Sequence, residues 1–229
     1  MSLFDVERDA RRAFDVLRAG GIAIVPHTIG YAVLGGSGTA LQRIFLTKGR
    51  GASKRNAMVA NLAMHSEIQD CSPRGRDIVR AIVEDYDLPL GCIAPYRPQH
   101  PLLAKLDGET LSASTQNGTV AILLNAGRFH AALTRLSHEA EVPLLGSSAN
   151  KSLGGTKFKV EDIEPEISAI ADVVIDHGLQ PFHFYRASST LLNVETLEVV
   201  RFGSCYDDIA YILDRHFRIV LPPRATRSA

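Results

Sequence analysis

Cysteine is scarce in this chain. There are three, Cys71, Cys92 and Cys205, odd in number and without CxxC spacing, which argues against both a disulfide framework and a zinc site. Surplus charge is missing too, because 25 Lys and Arg balance 25 Asp and Glu. No global field therefore draws the molecule to nucleic acid or to an anionic membrane, and any anion binding has to be local. No apolar run reaches the roughly 18 residues of a membrane span. The N-terminus carries Asp5, Glu7, Arg8 and Asp9 where a signal peptide needs an apolar core. Internal repeats, low-complexity segments and Ser-His-Asp or Cys-His signatures are also lacking. The expectation is a soluble protein of a reducing cytoplasm, with no membrane contact.

What remains is ordinary globular material: 229 residues, 45% hydrophobic and 22% charged, enough for one sizeable core. Val6, Ala10, Ala13, Phe14 and Leu17 recur at helical spacing, with Gly20-Gly21 as the stop. Ile22 to Val25, closed by Pro26, reads as a buried strand delivering a polar, glycine-rich loop from His27 to Gly38. Thr39 can cap a second helix that runs into Lys48-Gly49-Arg50-Gly51. Asn56 to Leu62 reads as a strand, and Ser72-Pro73 opens a helix through Val83. Gly91 to Tyr96 and Thr119 to Leu124 are strands, Gly127 to Ser137 a helix, and Val142 to Gly146 a short strand. Val160 to Ala171 reads as a helix, followed by strands at Val173 to Asp176, Leu191 to Val194 and Glu198 to Phe202. This alternation predicts a layered α/β fold, and the hairpin-like neighbours near the end make the sheet mixed. Residues 1–215 form the domain. Residues 216–229, with Arg218, Arg224, Arg227 and two prolines, are expected to be a basic, loosely held tail.

Two constellations carry chemistry. Lys48 and Arg50 flank a glycine, so a point charge and a bidentate fork stand beside backbone that a ligand can approach, a pair suited to polyphosphate. A basic pair at a helix end can equally serve to complement the helix dipole. Ser147-Ser148-Ala149-Asn150 follows a short strand and precedes Gly154-Gly155. Small polar side chains at the carboxyl end of a strand are what open α/β sheets use to hold a ligand, although a polar turn has the same composition.

The two segments, and the order of several others, resemble the YrdC-like family, whose best-known members are threonylcarbamoyl-AMP synthases. Gly20 to Pro26 resembles the family's opening strand, Ile44 to Arg50 its helix into K-G-R, and Pro143 to Ser152 its P-S-A-N-x-S-G stretch. Asp176-His177-Gly178 resembles D-G-G, Ser189-Thr190 the S-T-V-V-D strand, and Arg201-Phe202-Gly203 the R-P-G turn. The resemblance covers roughly residues 6 to 212. It implies a twisted mixed parallel and antiparallel sheet flanked by helices, of the YrdC/RibB-like type, with a basic cavity for ATP with Mg²⁺, bicarbonate and an amino acid. By the same resemblance Lys48, Arg50, Ser148, Asn150 and Arg201 hold the nucleotide, with no resident metal site. His27, Thr28, Tyr31, Asn61 and Ser189 face the acceptor. The family's P-T-[DE]-T-x-Y-G reads Pro26-His27-Thr28-Ile29-Gly30-Tyr31-Ala32 here, Leu123 stands where the family has an arginine, and Asn61 where it has a histidine. These departures fall on the acceptor side and imply a changed acceptor. The family's basic concavity also implies, as alternatives, a double-stranded RNA-binding module or a catalytically degenerate paralogue.

Overall fold

The computed structural model describes residues 3–49, 51 and 54–224. The chain begins with α1 (Val6–Arg18), capped by the Asp5 carboxylate accepting from the Arg8 amide at 3.1 Å. A hairpin follows, β1 (Ile22–Val25) and β2 (Ala32–Gly35), then α2 (Gly38–Thr47), β3 (Ala57–Val59), α3 (Leu62–Ile68) and α4 (Pro73–Arg80). A π-helical turn, Ala81–Asp85, leads to β4 (Leu90–Pro95), α5 (Pro101–Ala104), α6 (Gly108–Ser112), β5 (Thr115–Gln116) and β6 (Thr119–Leu124). The second half comprises α7 (Arg128–Glu139), β7 (Leu145–Ser148), α8 (Pro165–Ser168), β8 (Val173–Val174), β9 (Leu191–Asn193), β10 (Val199–Arg201) and α9 (Tyr206–Phe217).

The strands form one mixed sheet in the order β10-β9-β4-β6-β3-β7-β2-β1-β8, with β5 paired to β6. β3–β6, β4–β9 and β1–β8 pair parallel, and the other neighbours antiparallel. Alternate residues of each strand serve different cores. Ala23, Val25, Ala32, Leu34 and Val59 pack with α1 and α7, whereas Ile22, Ile24, Val33 and Met58 pack with α2, α3 and α4. The strand residues packed with α1 and α7 come from β1, β2, β3 and β8. The expected mixed α/β sheet between helices is the architecture observed.

Several local expectations are corrected. The loop from His27 to Gly38 contains β2, whose four residues are all buried. Ser37, not Thr39, caps α2, its hydroxyl accepting from the Ala40 amide at 3.2 Å. The strand expected over Asn56 to Leu62 stops at Val59, because Asn61 caps α3. β7 starts at Leu145 instead of Val142: Pro143 has no N–H for a ladder, and pairing with β2 runs from Leu145↔Gly35 to Ser148↔Ala32. The helix expected over Val160 to Ala171 is a 3₁₀ turn, Val160–Asp162, and the four-residue α8, separated by extended Ile163 and Glu164 ahead of Pro165, the backbone that a following proline imposes.

The tail also differs from expectation through residue 224. Ile219 and Leu221 are buried in the main core, the Tyr206 hydroxyl donates to the Pro222 carbonyl, and Arg224 Nη2 donates to the Gly203 carbonyl at 2.5 Å. Residues 225–229 lie outside the described residues. No helix among the described residues is long and apolar enough to cross a membrane.

Candidate functional site

The sheet is coiled, and one hydrogen bond shows how far. Thr28 follows β1 and Ala126 follows β6, four strands away in the sheet, a lateral distance of about 19 Å at ordinary strand spacing. Nevertheless the Thr28 amide donates to the Ala126 carbonyl at 2.9 Å, and the Thr28 carbonyl accepts from the Phe182 amide at 2.9 Å. Opposite corners of a strongly twisted sheet bend toward the same side, so the loop after β1 arches over the face that carries α7. Gly127 makes that contact possible: its φ is +98°, and a Cβ there would lie 2.4 Å from Thr28 Cγ2.

Residues paired across neighbouring strands share a face. The pairs Arg201↔Leu191, Leu191↔Gly91, Gly91↔Leu123 and Leu123↔Val59 continue through Ala57↔Gly146 to Ser148↔Ala32. Arg201, Leu123 and Ser148 therefore point to the side occupied by α1 and α7. A bulge in β10 decides this for Arg201. Val199 pairs with Leu192, but the register slips so that Arg201 pairs with Leu191, turning the guanidinium to the face opposite Val199. Arg201 Nε donates to the Ser189 carbonyl at 2.9 Å and Nη2 to Ser189 Oγ at 3.0 Å. Its side chain reaches solvent, yet surrounding protein lowers its pKa to about 10 by desolvation. The guanidinium is both accessible and crowded, and at neutral pH it is still a cation.

The other end of the row is built by α2 and β7. Lys48, at the C-cap of α2 and 4% exposed, donates from Nζ to the carbonyls of Ser148 and, at 2.5 Å, of Asn150. The Ser152 amide returns a bond to the Lys48 carbonyl at 2.9 Å. The Lys48 turn and the Ser147–Ser152 loop are thus one unit, whereas Arg50, expected beside them, lies outside the described residues. Asn150 Nδ2 donates to the Lys151 carbonyl at 2.5 Å, while Asn150 Oδ1, Ser147 Oγ and Ser152 Oγ are buried without a protein partner.

Of the residues expected to face the acceptor, Ser189 lies against Arg201, and the other four separate into two pairs. His27 is 2% exposed, its Nε2 without a partner, and Thr28 Oγ1 is likewise buried and unpaired. Edge-on to His27, with ring centroids 5.4 Å apart, lies His130 of α7, whose Nε2–H donates to the Leu123 carbonyl at 3.1 Å. Burial holds both imidazoles neutral: His130 falls to about 4, and His27 is lowered by desolvation and by His130. Tyr31 and Asn61 serve the fold. The Tyr31 ring is in the main core, and its hydroxyl meets Asp176 Oδ1 at 3.1 Å, the Gly178 carbonyl at 2.9 Å, the His177 amide at 3.0 Å and Gln180 Nε2 at 3.2 Å. Burial, foremost, pushes that phenol up to about 12. Asn61 Oδ1 accepts from the Met64 amide at 2.9 Å as the cap of α3.

The structure thus unites Lys48, Ser148 and Asn150, and separately Arg201 with Ser189, the two groups having β4, β6 and β3 between them in the sheet. Sequence reasoning named Ser147 and Ser152 only as members of a polar stretch, and missed His130 and Phe182. The orphaned hydroxyls had only their place in a polar loop as a signal, while Phe182 was marked by the aromatic density of Pro181-Phe182-His183-Phe184-Tyr185. Two cavities lie elsewhere: one of about 290 Å³ between Gly36 and Glu141, and one of about 460 Å³ around Asp70, Arg97 and His100. No group of three His, Cys, Asp or Glu that could hold a metal ion occurs among the described residues.

The Sua5/YciO/YrdC family model, described as "Telomere recombination", matches residues 15–203. No curated protein matches. Among solved structures, the hypothetical protein smu.1377c from Streptococcus mutans UA159 is 19% identical with a TM-score of 0.74, covering 92% of this chain and 93% of that one. P. abyssi Sua5 complexed with L-threonine is 19% identical with a TM-score of 0.73, over 97% of this chain and 63% of that one; the chain thus spans less than two thirds of its length. Full-length HypF in a phosphate- and nucleotide-bound form is 16% identical with a TM-score of 0.60, over 84% of this chain and 23% of that one. At these identities the likeness is one of fold.

Proposed function

Because the chain belongs to the Sua5/YciO/YrdC family, whose membership supports a nucleotide- or RNA-related role, we propose that it is an ATP-dependent nucleotidyltransferase of the threonylcarbamoyl-AMP synthase type. Its amine acceptor would combine with bicarbonate as a carbamate, losing water. A carbamate oxygen then attacks the α-phosphorus of ATP, and pyrophosphate leaves with the electrons of the broken P–O bond. The observation that carries this reading is the Lys48-bound Ser147–Ser152 loop with two orphaned oxygens beyond the end of β7, Asn150 Oδ1 and Ser152 Oγ. Buried polar atoms are nearly always paired, so two of them in one loop beyond the end of a strand support a ligand with its own polar groups.

In this reading Ser148 and Asn150 hold the triphosphate, Lys48 fixes the loop that presents them, and Arg201 opposes anionic charge at the far end of the same sheet face. No side chain has to act as nucleophile. Positioning and charge stabilisation supply the acceleration. Mg²⁺ fits as a companion of the triphosphate, since hydroxyl and amide oxygens are what this loop offers and that ion prefers few protein ligands; when bound it shares the charge of the phosphates.

The test is calorimetric titration of ATP with Mg²⁺. Asn150→Ala and Arg201→Ala are each expected to weaken binding about 10- to 100-fold, the size of a charge-assisted hydrogen bond, and wild type should release pyrophosphate when bicarbonate and a suitable amine are present. An absence of ATP binding, or binding indifferent to both substitutions, refutes the proposal. The L-threonine of the P. abyssi Sua5 complex is the first acceptor to assay.

A further inference from the structure

Between β8 and β9 the chain makes a 3₁₀ turn, Pro181–Tyr185, ending in left-handed Arg186. Phe182 leans into a small apolar cluster, Ile29, Leu123 and Ala126, that is separate from the two large cores. Phe184 stands over Phe182 edge-on, with centroids 6.2 Å apart, lies 4.5 Å from the Tyr185 ring and is 62% exposed. Tyr185 is anchored by its hydroxyl to Asp208 at 3.1 Å. An aromatic series thus runs from a half-buried ring to an open one. Leaving a phenyl ring this exposed forgoes part of the gain of burying it, and clustered exposed apolar groups mark binding surfaces.

Next to this wall are the unpaired, buried His27 Nε2 and Thr28 Oγ1, tied to it through the Thr28–Phe182 backbone bond. The cluster itself contributes no ionisable side chain: Ile29, Leu123, Ala126 and Phe182 line it. It therefore offers a polar ligand end two partners and an apolar ligand end a set of rings. We infer that segment 181–185 with Leu123 forms the apolar wall of the acceptor subsite, so that the acceptor is an amino acid with an aromatic or bulky apolar side chain. The proposed reaction is what identifies the ligand as an amine, and the inference rests on it.

The chain contains no tryptophan, so L-tryptophan can serve as probe through its own fluorescence. Titrating protein into L-tryptophan with Mg·ATP present should shift the emission to the blue and saturate, and L-threonine at equal concentration should fail to displace the probe. Phe184→Ala, at an exposed position that spares the fold, should weaken probe binding about 3- to 10-fold, the size of one aromatic contact, while ATP affinity by calorimetry is unchanged. An unshifted emission, displacement by L-threonine, or a Phe184→Ala effect on ATP in place of L-tryptophan overturns the inference. So does a loss confined to binding of a single-stranded RNA oligonucleotide, which would assign the rings to nucleobases. ATP binding without L-tryptophan binding defeats this inference alone; failure of ATP to bind defeats the proposed reaction.

Discussion

Replacing Tyr31 by phenylalanine separates a substrate contact from a structural one. The hydroxyl has four neighbours, but they depend on it unequally. Gly178 O keeps its bond from Gln180 Nε2 at 3.0 Å, which equally keeps Gln180 satisfied, and Asp176 Oδ1 keeps the Gly178 amide at 2.8 Å. The His177 amide, whose partner is the Tyr31 oxygen at 3.0 Å, is the group left bare. One orphaned, partly buried N–H costs about 1–3 kcal/mol, well below the sum of four lost bonds. For a chain of this length each kcal/mol moves the midpoint by about 2–4 °C, so the expected drop is roughly 2–12 °C. Thermal denaturation by circular dichroism measures it, beside calorimetry with ATP, whose affinity should not change. An unaltered midpoint combined with lost acceptor-dependent pyrophosphate release would refute this reasoning and place the hydroxyl on the substrate.

Gly203 sits where a Cβ would lie 2.2 Å from the Ser189 carbonyl carbon and oxygen. Gly203→Ala should push Ser189 away from Arg201, lowering the midpoint by several degrees and weakening ATP binding; a variant normal in both would show that the contact is dispensable. Burial holds His130 at about 4, so the unfolded chain takes up a proton first as pH falls through 6.5. Its share of stability is complete above 6.5 and is lost progressively down to about 4, amounting to about 3 kcal/mol at 1.4 kcal/mol per unit. Urea midpoints at pH 7.5 and 4.5 should differ less in His130→Gln than in wild type; equal differences would contradict a buried neutral imidazole.

Side-chain periodicity told most where the chain is regular and one-sided. α1, β1, β6 and α7 were legible because their apolar spacing, caps and glycines all state the same local preference. β2 was not, since Ala32-Val33-Leu34-Gly35 is too short to stand out and owes its conformation to β1 and β7 on either side. Nor was α8, where one proline outweighed an otherwise helical pattern. The tail was misjudged because Ile219 and Leu221 look like isolated residues among prolines and arginines until α9 and the core receive them.

For the site, the residues made the Lys48 turn and the Ser147–Asn150 loop candidates one by one, and only the resemblance to the YrdC-like family paired them, since nothing local to either segment brings it to the other. What the tertiary structure decided is direction. The bulge in β10 sends Arg201 to the α7 side, the coil of the sheet brings Thr28 to Ala126, and Tyr31 and Asn61 are spent on the fold. A sequence states which groups are available; which side of a strand they leave from, and what already occupies them, depends on pairing register and sheet twist, both set by contacts between residues far apart in the chain.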